Sequence, residues 1–78
     1  MATAEQEIAA AQRGEGCLGK ADPKEPVFIL RGQDRLAATV VKVWAELAAT
    51  TNCPQSKIDE ARRLAIRMEH WSKRKDPD

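Results

Sequence analysis

Apolar residues recur at helical spacing along two stretches of this chain, Asp34–Ala49 and Gln55–Lys73. Each stretch carries more apolar surface than a two-helix hairpin can hide. In the first, at about 100° per residue, Leu36, Val40, Val43 and Leu47 cluster on one side. Ala37, Val41, Trp44 and Ala48 form a second stripe beside them. Together the two stripes span about 160°, against a stripe of roughly 100° on an ordinary surface helix. Arg35, Thr39, Lys42 and Glu46 take the polar side, where Lys42 and Glu46 stand four apart and can pair weakly. Asp34 suits an N-cap or a first-turn acid.

Thr50–Pro54 reads as a turn, with Pro54 at the first position of the next helix. Ser56 with Asp59 offers a second start, close to a capping box in which Asp replaces Glu or Gln. Ile58, Ala61, Ala65 and Met68 then share one face, Leu64 and Trp71 extend it, and Ile66 lies on the far side. The basic residues Lys73–Lys75 complement a helix C-terminus, and Asp76-Pro77-Asp78 follows them. A connection this short makes the helices antiparallel neighbours. One helix facing another covers one stripe on each. The stripe centred on Trp44, and Ile66 with it, should then face water, and a contiguous patch of that kind marks an interface. The expected interface residues are Phe28, Leu30, Val41, Trp44, Ala48, Ile66 and Trp71.

Upstream, Val27-Phe28-Ile29-Leu30 is the one continuous aliphatic run, entered through Pro26 and closed by Gly32. No second strand is present to pair with it. It reads as a strand paired across a dimer axis or, by preference, as an extended arm laid over the helices, with Phe28 buried. Residues 1–24 are polar and broken by Gly14, Gly16 and Gly19. They read as a flexible tail or a docked arm, with a short helix over Glu5–Arg13 capped by Thr3. The expected fold is all-α: an antiparallel helical hairpin over 25–78 with an extended N-terminal arm, assembling as a homo-oligomer.

Composition narrows the function more by exclusion than by signature. The chain has 78 residues and a net charge of +1, which disfavours a basic nucleic-acid coat, and no helix-turn-helix pattern stands out for duplex DNA. Cys17, Cys53 and His70 make no recognisable zinc site. The N-terminal MATAEQEIAA has acids where a secretory signal needs a basic region and a long apolar core. No run approaches the roughly 20 apolar residues of a membrane span. A cytoplasmic protein with reduced thiols and no cofactor is expected.

Catalytic chemistry finds little support. Ser56 stands where a cap belongs, Asp59 and Glu60 point about 100° apart, and no glycine-rich phosphate loop is present. Cys53, before proline at a helix start, is better read as a small apolar turn residue than as an activated thiol. One constellation points to binding. Arg63, Arg67, His70 and Arg74 fall within about 60° of one another on the second helix, and Arg31 and Arg35 flank the start of the first. Arginine forks suit phosphate, and Trp44 or Trp71 offers a stacking surface. The competing reading is a solvated face with local ion pairs, Asp59 with Arg63 and Glu69 with Lys73.

The segment EPVFILRGQDRLAATVVKVWAELA, then EARRLAIRMEHW and KRKDPD, resembles small proteins of bacteriophages and prophages with the pattern EPVFxLRxxDxLA, a central Trp and MExW. The matching residues are Glu25, Pro26, Val27, Phe28, Leu30, Arg31, Asp34, Leu36, Ala37, Trp44, Met68, Glu69 and Trp71. The likeness covers 25–78 and implies a phage origin, hence a host-cell cytoplasm. In architecture, with the Cys53-Pro54-Gln55-Ser56 turn, the chain is also similar to phage cyclic-nucleotide sponges. That likeness implies a non-enzymatic oligomer that sequesters a small phosphorylated ligand, such as a cyclic nucleotide or ADP-ribose derivative of host immunity. The alternative is a protein-binding inhibitor or adaptor acting on a host defence complex.

Overall fold

The computed structural model describes residues 3–76; Pro77 and Asp78, read above as following the basic stretch, lie outside them. Four helices form: α1 (Ala4–Gln12), α2 (Gly16–Lys20), α3 (Ala37–Ala48) and α4 (Gln55–Glu69). There is no strand among the described residues, only one isolated parallel bridge between Asp34 and Lys75. The chain is therefore helical, as expected. α1 packs on α2 and α3 packs on α4, and no element contact joins the two pairs among the described residues.

The first pair begins where the sequence places it. Thr3 Oγ1 accepts from the Gln6 N–H at 3.3 Å, and Gln6 Oε1 accepts from the Thr3 N–H at 3.0 Å. This reciprocal box satisfies two of the donors a helix start leaves open. The glycines end α1, but they also permit α2, which the sequence reading did not include. Gly14 adopts φ +73°. A Cβ on Gly19 would stand 2.7 Å from the Gly14 carbonyl carbon, so only glycine lets the two short helices approach this closely. No residue of α1 or α2 is buried.

α3 starts three residues later than the pattern implied. Asp34 Oδ1 accepts from the Leu36 N–H at 2.8 Å, and Ala37 N–H donates to the Asp34 carbonyl at 3.1 Å. Asp34 thus caps a preceding turn rather than the helix itself. At the other end, the Thr50 and Thr51 hydroxyls donate to the carbonyls of Leu47 and Ala48 at 2.6 and 2.7 Å, satisfying acceptors that the helix end leaves open. Pro54 is the N-cap of α4, with Gln55 the first helical residue. Asp59 accepts from Gln55 Nε2 at 3.0 Å and lies 3.9 Å from Arg62, so it pairs with Arg62 and not with Arg63.

The core between α3 and α4 is built almost entirely from alanine. Ala37, Ala38, Ala45 and Ala48 are buried from α3; Ile58, Ala61 and Ala65 are buried from α4. Val41 and Cys53 pack against this cluster. Ala48 sits in the cluster with Ile58, while Lys42 Nζ reaches Glu69 at 2.8 Å, so the end of α3 meets the start of α4 and the order runs antiparallel. Lys42 was expected to pair with Glu46 on its own helix; it bridges the two helices instead.

One expectation is reversed. The stripe holding Ala37, Val41 and Ala48 turns toward α4, and the larger stripe of Leu36, Val40, Val43 and Leu47 faces solvent. Small side chains allow two helix backbones to approach closely, and interaxial distance follows the side chains at the contact. Val41 and Ala48 are therefore part of the intrachain packing rather than of an outward surface. Trp44, on the border between the stripes, stays half exposed, and Ile66 is exposed as expected.

The segment after α4 does not continue the helix to Lys73. Lys75 N–H donates to the Gln33 carbonyl at 2.7 Å and Arg35 N–H donates to the Lys75 carbonyl at 2.9 Å. Arg74 donates from Nη1 to the Glu69 carbonyl and from Nη2 to the Arg35 carbonyl, both at 3.0 Å. Residues 74–76 are thereby clipped to the entry of α3. The Val27–Leu30 run does not lie over the helices. Phe28, expected to be buried, is 85% exposed, and Val27 and Ile29 are exposed beside it. Leu30 is half-buried, and at Gly32 the chain comes close to Met68 and Trp71.

Candidate functional site

The six expected ligand-binding residues, the four-residue stripe on α4 with Arg31 and Arg35, do not form one site. Arg74 lies beyond the end of α4 and holds the backbone clip; its Nε is buried with no hydrogen-bond partner. Arg35 pairs through Nε with Asp76 at 3.2 Å. His70 is the C-cap of α4. Its Nδ1 lies 2.9 Å from the Ile66 carbonyl, which can only accept, so Nδ1 carries the proton. Arg31 precedes the turn at Asp34 and is exposed. Three of the six are thus held in local structure, because α4 ends at Glu69 and the backbone there is used for capping.

Arg63 and Arg67 do come together. One turn apart on α4, they line a shallow depression of about 320 Å³ with Glu60 and Leu64. Two guanidinium forks at this spacing can engage a phosphate from one side. The Glu60 carboxylate on the same rim opposes an anion there.

Trp44 lines a second depression of about 380 Å³ with Leu47, Ala48, Thr51 and Cys53. It is mostly apolar. Cys53 is half-buried, with Sγ 3.8 Å from the Pro54 carbonyl; Cys17 is exposed, and both are free thiols. Trp71 is half exposed, with one side against Gly32.

An apolar surface on α3 is left unassigned. Leu36, Val40, Val43 and Leu47 are 45–62% exposed along one side of α3, with Trp44 on their border. The interface expectation named Trp44, Ile66, Phe28 and Trp71, all exposed or half exposed, and the half-buried Leu30. It missed these four. The signal that finds them is side-chain size: the alanine-rich stripe suits close helix contact, so the Leu/Val stripe is left outside.

The Lys42 ammonium hydrogen-bonds Glu69 and holds its carboxyl below the ordinary value of 4.5, with smaller help from His70 and Arg74. No group of three His, Cys, Asp or Glu among the described residues could hold a metal ion. No helix there is long and apolar enough to cross a membrane. The chain matches no protein-family model, no curated protein and no solved structure at a significant level.

Proposed function

We propose that this protein acts by binding rather than by catalysis, as an antiparallel helical hairpin that assembles with copies of itself. The observation that carries this reading is the uncovered Leu36, Val40, Val43 and Leu47 face of α3. Solvating four large aliphatic side chains in one line is unfavourable by roughly 25 cal/mol for each Å² left in water. Native mass spectrometry of freshly purified protein tests it. The expected result is a multiple of the 8.6 kDa chain mass; a monomer at micromolar concentration removes the reading.

The Arg63–Arg67 depression favours a specific use of such an assembly: sequestering a small phosphorylated ligand, of the kind used in host immune signalling against phages. A panel of cyclic di- and trinucleotides and ADP-ribose derivatives should then give a saturable thermal shift that Arg63→Ala and Arg67→Ala abolish. A flat response across the panel sinks this use while leaving self-association standing. The exposed Trp44 supports the other use, docking on a host protein. It predicts a captured partner lost on Trp44→Ala, and it weakens if assembly buries Trp44.

A further inference from the structure

We propose that α3 is the seam of a two-fold symmetric antiparallel dimer, in which Leu36, Val40, Val43 and Leu47 of one copy interlock with the same residues of a second. The proposal rests on the self-association reading above and names its surface, its occupant and its polarity.

The spacing comes first. The four residues are separated by four, three and four positions. That is the alternation of core positions in a helix that packs knobs into holes along a partner. All four are aliphatic and all four are exposed, while the alanines that α3 uses for α4 lie on the adjacent stripe. α3 therefore has two helix-packing faces of different gauge, and α4 occupies only the narrow one. Its 12 residues are short for a free two-stranded coil. Backed by α4 in each copy, they become the inner helices of a four-helix arrangement.

The surface area agrees. The chain exposes 6261 Å², whereas a compact monomer of its mass exposes about 4,700 Å². Its radius of gyration is 13.2 Å, against about 11.5 Å for a compact chain of this length. That excess of roughly 1,600 Å² is shared among the α1–α2 pair, the exposed Val27–Ile29 run and the outer face of α3, against the ~800 Å² that each partner loses in a specific interface.

Charge decides the direction. α3 has no acid in its first turn and no basic residue in its last. Glu46 stands in that last turn, at the negative end of the helix dipole, where an acid is unfavourable. A parallel seam would gather Glu46 and the negative dipole end of both copies at one end of the pair. An antiparallel seam sets Glu46 beside the other copy's α3 N-terminus, the positive end. With Val40 facing Val43, the register places Leu36 against Leu47.

Sedimentation equilibrium across a concentration series tests the seam. The expected species is twice the 8.6 kDa chain. Val43→Glu should raise the dissociation constant at least roughly thirtyfold, as at a hot-spot position, with the helical circular dichroism of the monomer retained. Ile66→Glu, equally exposed on α4, should leave it unchanged. In a Cys17→Ser, Cys53→Ser background, mixed Leu36→Cys and Leu47→Cys chains should form the heterodisulfide, and Leu36→Cys by itself should not cross-link. A monomeric parent overturns both this proposal and the self-association reading. An assembly indifferent to Val43→Glu, or broken by Ile66→Glu instead, overturns the seam and leaves self-association standing. Efficient Leu36→Cys homodisulfides overturn the antiparallel polarity.

Discussion

The two faces of α3 are both apolar, yet they are built differently. The inner face offers Ala37, Ala38, Ala45 and Ala48 to α4 and is buried; the outer face offers Leu36, Val40, Val43 and Leu47 to solvent. Hydrophobicity does not separate them, since the outer face is the more hydrophobic. Size does. Alanine gains little from burial on its own, and its use here is to let α4 come close. The larger residues bring most of the apolar area, and each of them stays 45–62% exposed. A helix with one narrow and one wide apolar face offers two packing surfaces, of which α4 covers the narrow one.

The comparison breaks if the two faces respond alike to mutation. Ile58 is the one large side chain among the buried described residues, 2% exposed. Ile58→Ala should cost about 2–4 kcal/mol of folding stability, a large part of what a small domain has. Val43→Ala, measured where the chain is monomeric, should cost under about 0.5 kcal/mol. Urea unfolding of both variants decides it, and equal costs would erase the distinction.

Enlarging the inner face probes the same point from the other side. Ala61 is fully buried against α3. Ala61→Leu should force the helices apart and cost about 1–3 kcal/mol, whereas Val43→Leu on the outer face should leave monomer stability unchanged. A tolerated Ala61→Leu would mean that the close approach is not what the alanines provide.

The C-terminal clip should matter less. Arg74→Ala removes two hydrogen bonds to backbone carbonyls, worth about 1–2 kcal/mol together, and faster amide exchange at Arg35 and Lys75 should accompany it. Arg74→Lys should not restore protection, because one ammonium cannot span the Glu69 and Arg35 carbonyls as the guanidinium fork does.

A smaller effect is set by pH. The Glu69 carboxyl is held below its ordinary 4.5 by Lys42. A carboxylate depressed in the folded state stabilises above its unfolded value and loses that contribution as pH falls through the folded value. The melting temperature of the parent should therefore fall more steeply than that of Lys42→Gln as pH drops below 4.5. The two curves should meet at low pH. Parallel curves would show that the Lys42–Glu69 bridge does not couple α3 to α4.

The smallest effect on the main transition belongs to the N-terminal pair. Thr3→Ala breaks the capping box of α1 and should lower local helicity, with a cost near 1 kcal/mol confined to that helix. Since α1 and α2 bury no residue, the unfolding midpoint of the α3–α4 pair should not move. Backbone chemical shifts report the first effect and thermal unfolding the second.

Much of this architecture was legible because its signals are local. The Thr3 cap of α1, the helix start at Pro54 (one position further out than read, as N-cap rather than first helical residue) and the period of α3 and α4 are written within a few residues of where they act. α2 was not legible, because GCLGK has no periodic face and its existence depends on Gly19 lying against Gly14. The arginine stripe failed for a related reason. It assumed a helix running to Lys73, but His70 and Arg74 end α4 by bonding the Ile66 and Glu69 carbonyls. Of six candidate binding residues, Arg63 and Arg67 share a depression because both sit well inside the helix.

The amino-acid sequence by itself determined that helices form in the stretches of α1, α3 and α4, though not their ends, that two of them are amphipathic, and that α3 carries an apolar surplus. Helical period and capping depend on neighbours along the chain, so the sequence states them directly. Only the tertiary structure decided which apolar face of α3 meets α4, that Phe28 stands in solvent, and that Arg74 clips the chain end to Arg35 rather than joining a binding groove. Those outcomes depend on how closely two backbones can approach and on which carbonyls are left unpaired when they do. Neither is written in the period of the residues.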